Sequence, residues 1–175
     1  MKRKTLLQTI LVAAITPALL AAASTYEEPA LGEASTKSQT FEGKWSCEAS
    51  KAEDLPGDQG KLVMSQKDNM IYKDKAHVES TGKMSVKVQK INAEWTSQMS
   101  GAWRVDAGKL CLTVKTVKIT AANEDARNFE KQIGRPMQDA IPLGQENCEE
   151  IVEHTAKAYV TKDAMAGVLT RCTRN

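Results

Sequence analysis

From Ile91 to Val105 every odd position carries Ile, Ala, Trp, Ser, Met, Gly, Trp or Val, while the even positions between them are polar or charged apart from Ala102. A helix, with its period of about 3.6 residues, would scatter these side chains around its circumference, whereas a strand sorts them onto two faces. A chain with so long an alternation is committed to a sheet that buries one face. Fifteen continuous residues would be long for one strand. Glycine inside a strand pattern marks a bulge or sharp curvature, so a bend is expected near Ser100-Gly101.

The same alternation recurs along the chain. Phe41, Gly43, Trp45, Cys47 and Ala49 share one parity, with Glu42, Lys44, Ser46 and Glu48 on the other. Pro56-Gly57 and Gly60 place a surface loop after this first strand. Lys61 to Gln66 reads as a short second strand, Lys67-Asp68-Asn69 as a turn, and Met70 to Ser80 as a further strand with Tyr72, Ala76 and Val78 on one face. Thr81-Gly82-Lys83 reads as the next turn, before the alternating Met84, Val86 and Val88. Asp106-Ala107-Gly108 turns the Ile91 strand into Leu110, Leu112 and Val114, which makes Trp103 to Val114 a hairpin.

Beyond Thr120 the period changes. Asn123 is a capping residue for a helix with Ala126, Phe129 and Ile133 on one face, and Gly134 followed by Arg135-Pro136 ends it. Residues 134 to 147 predict an irregular connection. Asn147 to Thr155 fits a helix face or a strand, and Asp163 to Gly167 is the turn of a last hairpin closing with Val168 to Thr173. Five to seven strands with one helix inserted near 123–133 give a mainly β fold, an antiparallel meander forming a small barrel or a sandwich.

At the start of the chain, Met1-Lys2-Arg3-Lys4, a largely apolar run from Leu6 to about Leu20 and Ala21-Ala22-Ala23 have the pattern of a secretory signal peptide, residues 1–23. The apolar run, interrupted by Gln8, Thr9, Thr16 and Pro17, is shorter than the roughly 20 residues of a membrane span. The expectation is a soluble mature protein, periplasmic or secreted, with no transmembrane segment after signal removal. Residues 24–40 hold few large apolar side chains and read as a flexible linker. Residues 41–175 then form a single β domain. Because Lys2, Arg3 and Lys4 lie in the leader, the rest of the chain carries 21 basic against 22 acidic residues, and a basic-protein case for nucleic acid fails.

All four cysteines, Cys47, Cys111, Cys148 and Cys172, fall in the β domain. An even number in an exported chain argues for disulfides, and their spacing matches neither a redox C-x-x-C motif nor a zinc finger. Three pairings are open on number alone. Closing a meander sets its first and last strands side by side, which favours Cys47–Cys172 and leaves Cys111–Cys148 as a staple across the helical insertion.

Gly43-Lys44-Trp45 on the first strand resembles the G-x-W element of lipocalins and related calycin barrels, where the tryptophan packs across the barrel floor. Gly101-Ala102-Trp103 leading through a turn to Leu110-Cys111 is similar to small exported bacterial domains of uncharacterised function. The resemblance implies a barrel of eight to ten strands around a ligand cavity.

Chemistry leaves fewer marks. His77 shares a strand face with Lys75 and Glu79 and reads as a solvated position. His154 follows Glu150 by four residues, a helical spacing, inside the charged run Glu149-Glu150-Glu153, which reads as an exposed segment. No G-x-S-x-G elbow, H-E-x-x-H or phosphate-cradling glycine loop is present, so the chain reads as a non-enzyme with no cofactor and no metal. Met64, Met70, Met84 and Met99 fall on predicted strands and suit core packing, an adaptable apolar surface or, less readily since no M-x-M or M-x-x-M repeat is present, Cu(I) ligation. The seven lysines among residues 61–90, at 61, 67, 73, 75, 83, 87 and 90, make one sheet region positive, either a solvated face or a docking patch for an acidic partner or an anionic envelope surface.

Two functions follow. One is an apolar or amphipathic small ligand held in the barrel by Trp45, Trp95, Trp103, Met84, Met99 and Tyr72, which requires a cavity of a few hundred cubic ångströms. The other is an envelope protein partner met at the surface by an inhibitor, immunity or accessory protein, which requires a packed core beneath an exposed patch. Aromatic placement favours the first by a narrow margin.

Overall fold

Alternation at period two governs the chain from Gly43 to Ala121. The computed structural model describes residues 40–57, 60–73 and 76–175; the expected signal peptide (1–23) and all but the last residue of the expected linker (24–40) lie outside them. Five long strands come first, β1 (Gly43–Asp54), β2 (Lys61–Lys73), β3 (His77–Val88), β4 (Ile91–Asp106) and β5 (Lys109–Ala121). Helix α1 (Glu124–Ile133) and a 3-10 turn (Met137–Ala140) follow, then three shorter strands, β6 (Glu146–His154), β7 (Ala158–Lys162) and β8 (Leu169–Arg174). Each strand pairs antiparallel with the next, and β8 pairs with β1, so eight strands close a barrel rather than the five to seven expected.

Both expected disulfides lie on directly opposed residues. Cys47–Cys172 joins the closing pair of strands on the inner face, and Cys111–Cys148 joins β5 to β6. The bend expected in β4 is present as a register shift against β5 between Ser100 and Gly101. Ala107 and Gly108, both at positive φ, form the two-residue turn of the β4–β5 hairpin.

Two expected turns are absent. Lys67-Asp68-Asn69 and Thr81-Gly82-Lys83 sit inside unbroken strands, directly opposite one another as Lys67 with Lys83, Asp68 with Gly82 and Asn69 with Thr81. The hairpin connection lies between Lys73 and His77 instead. Turn-forming residues lost to the ladder because Leu62, Met64, Met70 and Tyr72 on one strand, and Val78, Met84, Val86 and Val88 on the other, keep a single parity across each triplet. A turn at either place would have moved half of these apolar side chains to the outer face.

The barrel closes only along part of its length. β1 meets β8 over Trp45–Ala49, and β5 meets β6 over Lys109–Thr113. The remaining lengths of β1–β5 continue as a five-stranded sheet, and α1 and the 3-10 turn pack on its inner face at β3 to β5. The start of α1 is tied to β4 through Asn123, whose Oδ1 accepts from Ala126 N at 2.9 Å and whose Nδ2 donates to Asn92 O at 2.7 Å. Asp125 accepts from Asn92 N at 2.9 Å, and Gly134 in the left-handed region ends the helix.

The interior accordingly forms two clusters. At the closed end Phe41, Trp45, Cys47, Met70, Tyr72, Val78, Leu110, Tyr159 and Cys172 pack with Trp103, Leu112 and Ile151. Beneath the helix Ala93, Trp95, Ile119 and Ala126 pack with Met84, Val86, Val117, Phe129 and neighbours. No helix among the described residues is long and apolar enough to cross a membrane.

Candidate functional site

Of the tryptophans chosen from the sequence, Trp45 and Trp95 are core residues of different clusters and Trp103 is partly buried against the first. Trp45 is fully buried across the barrel floor, its indole N–H donating to Phe41 O at 2.7 Å and the Arg174 guanidinium lying 4.3 Å from its ring centroid. Gly43 makes this possible, since a Cβ there would lie 2.7 Å from Arg174 Nη1. The same guanidinium donates to Thr40 O, Glu42 O and Ala156 O, which leaves it no free fork. Tyr72 and Trp103 join this floor edge to face at 5.3 Å.

Trp95 and Met84 are directly opposed in the other cluster, where Trp95 stacks edge-on against Phe129 and donates to Glu130 Oε1 at 3.1 Å. Met99 lies between the clusters, beside a cavity of only about 40 Å³ bounded by Met70, Val78, Ser80 and Leu112. The six candidate residues are thus divided among three places. That cavity has room for one or a few waters, far short of a drug-sized ligand.

Between the two clusters lies a polar layer that sequence reading missed. Asp68 on β2 faces Gly82 on β3, which faces Ser97 on β4, and Ser80 lies one inward position away. Asp68 Oδ1, Ser80 Oγ and Ser97 Oγ are buried atoms without a hydrogen-bond partner. Burial raises the Asp68 pKa above the usual carboxylate range, opposed by the hydrogen bond from Gln66. Gly82 is required here, because a Cβ would sit 1.8 Å from Asp68 Oδ1 and 2.6 Å from Lys67 O.

A second inward carboxyl belongs to Glu149, which accepts from Thr161 Oγ1 and whose pKa burial also raises. Tyr72 and Tyr159 hydroxyls meet at 3.0 Å, and burial pushes both phenols well above their ordinary range. His154 differs from expectation. β6 is a strand, so Glu150 and His154 are not brought together as a helical turn would bring them, and the shift in the β6–β7 register between Ile151 and Glu153 turns His154 inward. Its ring stacks on Phe41 at 4.1 Å, and burial followed by the charge of Arg174 lowers its pKa. His77 remains exposed, 3.2 Å from Glu79.

A feature with room for a ligand lies on the outer face. A groove of about 610 Å³ crosses β1 to β5 around Gly82. Two ladder rows floor it: Glu48, Lys67, Lys83, Thr96 and Thr120 form one, and Ser46, Asn69, Thr81, Gln98 and Lys118 the other. Both absent turns therefore supply its centre. Lys67 pairs with Glu48 at 2.8 Å, while Lys83 and Lys118 have no ion-pair partner among the described residues. Of the other lysines singled out, Lys61 and Lys73 pair with Asp54 and Glu79, Lys87 and Lys90 are exposed outside the groove, and Lys75 lies outside the described residues.

Beyond the groove, Cys111, Glu146 and Cys148 crowd together, but both sulfurs are spent in the disulfide and cannot act as thiolate ligands. Comparison with known proteins adds no assignment, since no protein-family model and no curated protein matches the chain.

Proposed function

We propose that this chain is an exported, calycin-like barrel that works by binding through its outer face, with the groove across β1–β5 as its recognition surface. The observation that carries the reading is the contrast between a groove of about 610 Å³ and the cavity of about 40 Å³ at Met99. Binding sites for small molecules and segments of partners occupy about 300–1,000 Å³. Export is supported by the leader-like first 23 residues and by two disulfides, which persist in oxidising compartments. Kinship with calycin barrels is supported by the antiparallel closed meander and by Trp45 of the G-x-W element packing across the floor.

Binding without catalysis is the better-supported activity. The inward carboxyls Asp68 and Glu149 are hydrogen-bonded to Gln66 and Thr161, and the inward imidazole is stacked on Phe41, so these groups do not form an acid/base pair. The aromatics whose placement favours an apolar ligand in the lumen fill the core themselves.

The test is site-specific photo-cross-linking in the cell envelope. A photoreactive side chain at Thr96 or Thr120 is expected to give a macromolecular adduct, and the same group at Lys162, exposed on β7 away from the groove, is expected to give none. Absence of a groove adduct, together with a retained apolar small molecule in native mass spectrometry and a ligand-dependent change in tryptophan fluorescence, would return the function to the lumen.

A further inference from the structure

We infer that the groove takes an anionic polysaccharide chain, an inference that rests on the outer-face reading above and names its ligand class. The first observation is charge without a counter-ion. Lys67 and Lys83 are directly opposed across the β2–β3 ladder, where like charges repel, and only Lys67 has a carboxylate partner. Lys118, two strands beyond Lys83, is also unpaired among the described residues. Three cations against Glu48, with the neighbouring Asp68 carboxyl turned to the inner face, leave the groove positive although the chain after residue 23 is nearly neutral. Such a concave surface concentrates anions.

The second observation is the chemistry between the charges. Asn69, Thr81, Thr96, Gln98 and Thr120 offer amide and hydroxyl groups, and no aromatic or large aliphatic side chain lines the groove. A protein partner is anchored by apolar or aromatic side chains seated in pockets, and this floor offers none. A neutral sugar gains much of its affinity by stacking on aromatic faces, which are equally missing. A chain of hydroxylated, negatively charged sugars uses what is present: lysines for its charges, and amides and hydroxyls for its hydroxyl groups. Five strands at about 4.8 Å spacing make the floor about 19 Å long, enough for about four sugar units.

Titration of the protein with oligogalacturonate, neutral dextran of matched length and poly-glutamate tests the assignment. Oligogalacturonate is expected to bind, dextran not to, and poly-glutamate to bind at least about tenfold more weakly. The K83Q/K118Q variant is expected to lose about tenfold or more in oligogalacturonate affinity with an unchanged thermal midpoint, whereas K162Q, on β7 away from the groove, is expected to lose none. Raising salt from about 0.1 M to about 1 M, which shortens the screening length from about 10 Å to about 3 Å, is expected to weaken binding in the parent and much less in K83Q/K118Q. Equal affinity of parent and K83Q/K118Q, equal loss in K162Q, poly-glutamate binding as tightly as oligogalacturonate, or no binding of oligogalacturonate would each overturn it. The photo-adducts from Thr96 and Thr120 separate the two levels: if they persist while oligogalacturonate fails, the ligand class falls and the groove stands, and if they vanish, both fall.

Discussion

Gly82 is the residue that leaves room for the inward Asp68 carboxyl and the Lys67 carbonyl. Replacing it with alanine would force a Cβ to within 1.8 Å of Asp68 Oδ1 and 2.6 Å of the Lys67 carbonyl, and the second of these is backbone held in the β2–β3 ladder. Overpacking of this kind costs about 1–3 kcal/mol. Chemical denaturation of Gly82→Ala is expected to show that loss. Shortening the opposing side chain in Asp68→Ala/Gly82→Ala is expected to recover only part of it, since the clash with Lys67 O remains. Asp68 itself carries a second expectation. Its folded-state pKa, like that of Glu149, lies above the unfolded value because burial disfavours the ionised form. Between those two values the folded chain binds more protons than the unfolded chain, so the stability contributed is fully present below the unfolded pKa and is lost as pH rises through the folded one. Mild acidification from neutrality is therefore expected to raise the contribution of these two carboxyls to the melting temperature until the unfolded carboxylate range near 4 is reached, against an opposite contribution from His154, whose pKa burial lowers. Asp68→Asn and Glu149→Gln, read by thermal melts across that window, are each expected to flatten the rise.

Helix α1 owes its position to one side chain more than to its own propensity. Asn123 satisfies the N-terminal Ala126 N–H and also ties Asn92 of β4, so its removal frees the helix and the sheet beneath it together. Asn123→Ala is expected to lose about 1–2 kcal/mol, toward the upper end of the capping range, and hydrogen exchange should quicken in α1 and at the helix-covered end of β4 before it does in β7 and β8. That cap was legible in the sequence, as were the β4–β5 hairpin and the Ser100-Gly101 irregularity, because each is a local signal made by neighbouring residues. The groove was not. Its two rows draw two residues from each of five strands, and its central triplets, Lys67-Asp68-Asn69 and Thr81-Gly82-Lys83, carry the side chains that turns prefer. The available signal was the unbroken parity of Leu62, Met64, Met70 and Tyr72 on either side of the first triplet. Weighing that continuity above residue type would have joined each pair of short segments into one long strand. The inward position of His154 had no such signal, because the irregularity in β6 that turns it lies in a stretch whose composition suits helix and strand alike.

For the whole molecule, closure is a covalent as well as a hydrogen-bonded property. The β1–β8 ladder is short, covering Trp45–Ala49, and it is this seam that Cys47–Cys172 crosses. The bond links residues 125 apart in sequence, whereas Cys111–Cys148 links residues 37 apart. Chain-entropy arguments give about 4.9 kcal/mol for the longer loop and about 3.8 kcal/mol for the shorter. The difference is small, so location decides which loss matters. Without Cys47–Cys172 the seam relies on five residues of ladder, the Trp45–Arg174 stack and the bonds of Arg174 to Thr40, Glu42 and Ala156. Without Cys111–Cys148 the β5–β6 ladder keeps Arg104, whose guanidinium donates twice to Glu146 at 2.8 Å alongside the vacated bridge. The Cys47→Ala/Cys172→Ala variant is accordingly expected to unfold at lower denaturant than Cys111→Ala/Cys148→Ala, and to show early proteolytic cleavage in β8 and after Lys157. Equal midpoints with the same first cleavage sites would mean that the seam holds through its side chains and that the disulfide only shortens the unfolded chain. Because the groove is built on β1–β5 alone, opening the seam is expected to reduce groove cross-linking from Thr96 less than it reduces overall stability.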